Sequence, residues 1–134
     1  MSFSNYLEKA LLDHLNQGTA YTPTTKFVAL YKTDPLDAAS GTEVSSTTDD
    51  TAYARQPISF GAATLGTGIA LSSNAQTFAA VALGSAAYTV GWIGIFDALT
   101  GGNLLESTVL GASVSRTAGK TLAFDVGAIT VALD

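Results

Sequence analysis

Apolar positions early in the chain fall at Leu7, Ala10, Leu11 and Leu15, with His14 completing the series i, i+3, i+4, i+7, i+8. That spacing places all five side chains on one face of a helix. It predicts a helix over the first 16 residues, with Ser2 or Ser4 as its cap. Glu8 lies early in it, where a negative charge suits the helix dipole, and Asn16-Gln17-Gly18 ends it. A helix this short does not persist unsupported in water. The stripe of Leu7, Leu11 and Leu15 is therefore expected to dock on a sheet or on a neighbouring subunit.

After Gly18 the apolar period changes to two. Lys26 to Lys32 reads as a strand with Phe27, Ala29 and Tyr31 on one face and Val28 and Leu30 on the other. Two apolar faces predict a central strand. Asp34 to Ala52 is polar and aperiodic, the longest such region, and reads as a loop. Tyr53 to Phe60 resumes as a strand, where Pro57 lacks a ladder donor and implies an edge or a bulge. Gly61 to Gly68 reads as a linker, and Gln76-Thr77-Phe78 as a weak strand. Tyr88 to Asp97 and Leu104 to Leu110 form a hairpin across a Gly-Gly-Asn turn. Ser113 to Arg116, Thr121 to Val126 and Ile129 to Leu133 are short strands, with a turn at Ala118-Gly119-Lys120. Seven to nine strands at regular spacing predict an antiparallel β-sandwich or barrel, jelly-roll-like, with one short N-terminal α-helix. Residues 1–134 are read as a single structural domain, with the helix at 1–17 and the β-domain at 21–134. Trp92 and Phe96 are expected in its core.

Composition sharpens the picture. Hydrophobic residues make up 47% and charged residues 13% of the chain, against about 25% charged in an ordinary soluble domain. A surface so poor in charge is expected to be covered in part by copies of the chain or by a partner. The formal net charge is −5. The six bases are scattered without a stripe to neutralise phosphates, which argues against nucleic acid. The acidic balance argues against anionic membranes. With no cysteine, disulfides and thiolate metal sites are excluded. No uncharged apolar run reaches the roughly 18 residues of a spanning helix, and no signal peptide is visible.

Catalytic chemistry finds little footing. His14 is the only histidine and reads as a packed or helix-capping residue. There is no nucleophile elbow, zinc-protease helix or phosphate loop. Asp34, Asp37, Glu43, Asp49 and Asp50 cluster in sequence, but their spacing fits no EF-hand, and they read as a solvated acidic loop. Asp97, ahead of the Gly-Gly turn, is expected to hold loop backbone N–H groups. Arg55 and Arg116 are the bases best suited to contact a carboxylate partner, since a guanidinium forks onto two oxygens; an ion pair at the surface or within the chain is the alternative. No catalytic, cofactor-binding or metal residue is expected. The candidate interaction residues are Leu7, Leu11, Tyr53, Arg55 and Arg116.

One set of motifs carries a resemblance. The stretch Gly94-Ile95-Phe96-Asp97-Ala98, followed by Gly101-Gly102-Asn103-Leu104-Leu105, resembles a hairpin of short tailed-phage virion proteins, often labelled phage tail fibre proteins. The opening Ser4-Asn5-Tyr6-Leu7-Glu8, then Tyr21-Thr22-Pro23, Phe27-Val28-Ala29-Leu30-Tyr31, Thr33-Asp34-Pro35, Gly41-Thr42-Glu43-Val44, Tyr53-Ala54-Arg55 and the closing Ala128 to Asp134 keep the same order. The chain is also similar to capsid decoration, or cement, proteins. The resemblance implies a non-enzymatic virion protein made in the host cytoplasm. The leading expectation is a decoration protein that binds the major capsid protein on the outer capsid surface of the mature head and stabilises it; the low charge content adds copies of itself, as a homotrimer. In the alternative it is a tail-fibre or tail-tip component contacting the host surface.

Overall fold

In the computed structural model, residues 2–22 and 24–132 are described. The chain runs β1 (Ser2–Phe3), α1 (Asn5–Gln17), β2 (Lys26–Tyr31), β3 (Gln56–Ile58), β4 (Ile69–Leu71), β5 (Gln76–Phe78), β6 (Tyr88–Phe96), β7 (Leu104–Arg116), β8 (Leu122–Phe124) and β9 (Thr130–Ala132). The last expected strand extends to Leu133, which with Met1, Pro23 and Asp134 lies outside the described residues. Among the described residues no helix is long and apolar enough to cross a membrane.

A five-stranded antiparallel sheet in the order β1-β7-β6-β2-β3 is joined by two two-stranded sheets, β4-β9 and β5-β8. The arrangement is sandwich-like. The large sheet stays open, with β1 and β3 at opposite edges, so the barrel alternative does not hold. β2 is central, as its two apolar faces require, and Pro57 sits on edge strand β3, opposite Phe27.

Register explains how β2 serves two cores. Val28 pairs with Ile95 and Leu30 with Ile93. That face packs with Leu7 of α1, Phe78 of β5 and Ile129 beside β9. The alternate residues Ala29 and Tyr31 join Phe96 and Leu104 on the opposite face, where the rings of Tyr31 and Phe96 stack with centroids 6.3 Å apart. Phe96 is buried as expected, while Trp92 is only half-buried at the rim of this second cluster.

Gly94 lets the second cluster close. A Cβ there would stand 2.9 Å from Leu104 Cδ1 and 3.3 Å from Tyr31 Cε2. The hairpin turn is held as expected, with Asp97 Oδ1 accepting from Asn103 N at 2.6 Å and Oδ2 from the Asn103 side chain at 2.8 Å.

Several expectations change. Leu104 to Arg116 is one strand rather than two, with a bulge where Val90 faces Val114 but Trp92 faces Val109. β6 spans the irregularity as a continuous partner, so the ladder resumes beyond it. The segment expected as a linker, 61–68, leads into a strand, β4, that has no strong apolar period of its own.

The helix follows its caps. Ser4 is the N-cap, accepting from Leu7 N at 3.2 Å, and Gly18 closes the other end at φ 68°, a left-handed conformation that favours glycine. Its burial, however, decays along its length. Leu7 is buried, Leu11 half-buried, and Leu15 is 77% exposed. The cause is a one-ended anchor: Ser4 N donates to Leu105 O at 2.8 Å, Ser4 Oγ donates to Leu104 O, and Asn5 N reaches Asp37 O at 3.1 Å. His14 is exposed as well, with Nδ1 3.1 Å from Thr19 O.

Candidate functional site

Two of the candidate residues, Tyr53 and Arg55, meet in one cluster. Thr42 to Val44 runs alongside the end of β2, with Lys32 N donating to Thr42 O and Val44 N to Leu30 O at 2.8 and 2.9 Å. This turns Glu43 towards the residues just ahead of β3. Arg55 then grips Glu43 with both arms of its fork, Nε to Oε1 at 2.9 Å and Nη2 to Oε2 at 2.7 Å. Its Nη1 donates to Ala98 O and Gly101 O at 2.9 and 2.7 Å. The guanidinium carbon lies 3.7 Å above the Phe96 ring. Tyr53 Oη donates to Glu43 Oε1 at 2.8 Å and accepts from Leu30 N at 3.0 Å.

Electrostatics follow from burial and from that carboxylate. Burial, then the Glu43 charge, push the Tyr31 hydroxyl up to about 12, with Arg55 opposing. The same two causes push Tyr53 well above its ordinary value. Burial pulls Arg55 down, but the Glu43 carboxylate outweighs it and holds the guanidinium above its usual range. A cleft of about 430 Å³ opens beside the cluster, lined by Glu43, Tyr53, Arg55, Leu99 and Gly101. Arg55 faces it with four of its five N–H groups already engaged within the chain. Chemically the cluster is a tie that binds the 42–44 segment, β3 and the 98–101 turn. This is the intrachain ion pair weighed for Arg55 from its sequence.

Arg116 sits in a second cluster and is 1% exposed. Its Nη2 donates to Ala79 O and Lys120 O at 2.6 and 3.1 Å, and its guanidinium lies 5.8 Å from the centre of the Tyr88 ring, its cross-strand partner. Tyr88 Oη donates to Asp50 Oδ2 at 3.0 Å. Burial and this bond raise the Tyr88 hydroxyl to about 12, against the pull of Arg116. Asp50 Oδ1 accepts from Ala52 N and Ala82 N, both at 3.0 Å. Arg116 is thus turned inwards, because the β6-β7 ladder ends there with carbonyls to satisfy.

The acidic loop is not simply solvated. Asp50 is buried, Glu43 binds Arg55, and Asp49 pairs with Lys32 Nζ at 2.8 Å while accepting from Ser45 N. Only Asp34 and Asp37 remain exposed. Val44 enters the main core between these acids, so burying it draws its polar neighbours inward too. Among the described residues no three carboxylate or histidine groups gather as a metal would require.

Several large apolar side chains remain outside. Leu12 and Leu15 are exposed in the C-terminal half of α1. Leu65, Ile69, Leu71 and Val126 are exposed around β4-β9. Sequence reading passed over the second group, although the signal was present: none of residues 56–96 is charged.

The family model of Podophage GP4 fiber I protein gp80 matches residues 2–132. The chain belongs to this family. Membership agrees with the resemblance to short tailed-phage virion proteins drawn from the ordered motifs above. No curated protein matches the chain.

Proposed function

We propose that the chain is a non-enzymatic structural subunit of a podophage fibre, acting through contacts with other copies and with the tail. The observation that carries this reading is the family match over residues 2–132, whose description is that of a fibre protein. The geometry supports it. The polar groups best suited to chemistry, Glu43, Asp50, Tyr53, Arg55 and Tyr88, are engaged with one another or with backbone. Apart from Tyr6, the exposed large hydrophobic side chains are leucine, isoleucine and valine, suited to packing. Nucleic acid and membranes are not among the proposed partners, since the net charge is −5 and the bases are dispersed or buried. The proposed assembly is a homotrimer, the closed symmetric form in which a low-charge surface is covered by its own copies.

A second reading has one observation in its favour. The described residues close into two packed cores, a form suited to seating on a lattice. The chain would then be a decoration protein on the outer capsid surface, bound to the major capsid protein. Electron cryo-microscopy of the virion separates the two. Density for this chain on the tail, in a few copies, is the expected result; hundreds of copies on the head would replace the fibre reading with the decoration reading.

A further inference from the structure

Residues 60–72 and 126–132 build a flap of three extended segments. Gly61 N donates to Leu71 O and Thr64 N to Ile69 O, both at 2.9 Å, laying 61–64 along one side of β4. β9 lies along the other side, with Ile69 opposite Ala132 and Leu71 opposite Thr130. The base is fixed. Buried Ser72 accepts on its Oγ from Gly127 N and Ile129 N at 3.0 and 3.3 Å. Beyond that base none of residues 61–71 is buried. Ile69 and Leu71 share one face by strand alternation, and that face is open to water. Leu65 at the tip is fully exposed, and Val126, next to Gly127 at the base, is 64% exposed.

We propose that this flap is where a second copy of the chain docks, an inference that rests on the self-association proposed above. Three observations point to that occupant. First, two or three short strands with little buried surface are marginal in water, and beyond the base, where Ser72 and Ile129 are buried, none of residues 61–71 is buried. Second, the molecule exposes 7300 Å², whereas a folded monomer of its mass exposes about 6600 Å². The excess, about 700 Å², is close to the roughly 800 Å² each partner contributes to a stable interface. Third, the chain carries a net charge of −5, yet residues 56–96 carry none. A contact between identical copies brings together surfaces of the same acidic chain, so it is made at least cost through an uncharged face. A surface for an unlike partner is usually marked by complementary charge, which the flap lacks. The helix patch at Leu12 and Leu15 is the weaker candidate, because it is two residues near the end of a helix that is already anchored on the sheet through Leu7.

The test is molar mass by light scattering across a wide concentration range. The full-length chain is compared with Leu71→Asp, Leu65→Asp and, away from the flap, Leu83→Asp. Leu71 and Leu65 face water in the single chain, so both aspartates leave it folded. Association is expected to weaken about thirtyfold or more with Leu71→Asp, the loss typical of a central interface contact, and to be unchanged with Leu83→Asp. Hydrogen exchange gives a second readout: the amides of Gly61, Thr64 and β9 should slow as concentration rises. A wild-type chain that stays monomeric throughout overturns the proposal. So does an oligomer that Leu71→Asp leaves intact, or flap exchange that does not respond to concentration. None of these results bears on where the chain sits in the virion, so the fibre reading stands or falls separately.

Discussion

Glu106 is the residue whose ionisation works hardest against the fold. It is buried on β7, its Oε2 has no hydrogen-bond partner among the described residues, and burial raises its carboxyl to about 7, with Lys26 opposing. Between its ordinary 4.5 and about 7, the folded chain holds a proton that the unfolded chain has released. This contribution to stability is therefore complete below the unfolded value and lost as pH rises through the folded one. The shift corresponds to at most on the order of 3 kcal/mol. Glu106→Gln mimics the protonated form. It is expected to raise stability above neutrality and flatten its dependence on pH, as measured by urea unfolding at several pH values. Arg55 works in the opposite sense, since its charge is paired and fully used. Arg55→Lys cannot reproduce the double bond to Glu43 or the stacking on Phe96. Lysine keeps the charge but loses these bonds, so a loss of about 1.5–3 kcal/mol is expected, the worth of a hydrogen bond to a charged group, read as a lower urea midpoint.

At the scale of elements, the helix and the β6-β7 hairpin make unequal demands. Leu7→Ala should cost about 2–5 kcal/mol, as in a packed core. Leu15→Ser should stay within about 0.5 kcal/mol, as for an exposed site. Thermal melts of the two variants check this, and equal effects would show that the one-ended anchoring of α1 is wrong. In the hairpin, Gly94→Ala forces a methyl group against Leu104 and Tyr31 and should cost about 1–3 kcal/mol through overpacking. The loop between β2 and β3 behaves as an element in its own right. Gly41 admits no Cβ, which would fall 2.2 Å from Asp34 O. Leu36 and Ala39 take positive φ of 52° and 54°, conformations that side chains disfavour. That backbone is held by Val44 in the core and by Glu43 and Asp50 on their partners.

Over the whole molecule, two opposed titrations set the acid–base range. Burial tends to raise the Asp49 and Asp50 carboxyls. For Asp49 the Lys32 and Ser45 bonds prevail, and for Asp50 the backbone and Tyr88 bonds, so both titrate below the ordinary 3.8. Their contribution is present above the unfolded value and lost as pH falls through the folded ones. With Glu106 acting from the alkaline side, stability should peak in mildly acid solution, about pH 5. A melting temperature that climbs steadily through neutrality would contradict this. Assembly should respond differently. A contact made by an uncharged flap has no ion pairs to screen, so the oligomer is expected to hold or strengthen as salt is raised. Light scattering across a salt series checks that expectation.

The sequence by itself determined the elements whose signals are local. The helix ending at Gly18, the central position of β2 and the Asp97 turn follow from periodicity and backbone chemistry within a few residues, while the structure chose Ser4 over Ser2 as the cap and an edge over a bulge for Pro57. Its ordered motifs also led to the virion family. Tertiary structure alone decided what the polar groups do. Glu43 and Arg55 stand twelve positions apart, and Asp50 and Tyr88 further still; no spacing rule couples them, because the sheet brings them together. It likewise decided that Arg116 turns inwards, that Leu15 stays in water and that β4 forms at all. Burial depends on what lies across the gap. For the flap there is nothing across it in the single chain, so its apolar face is left open.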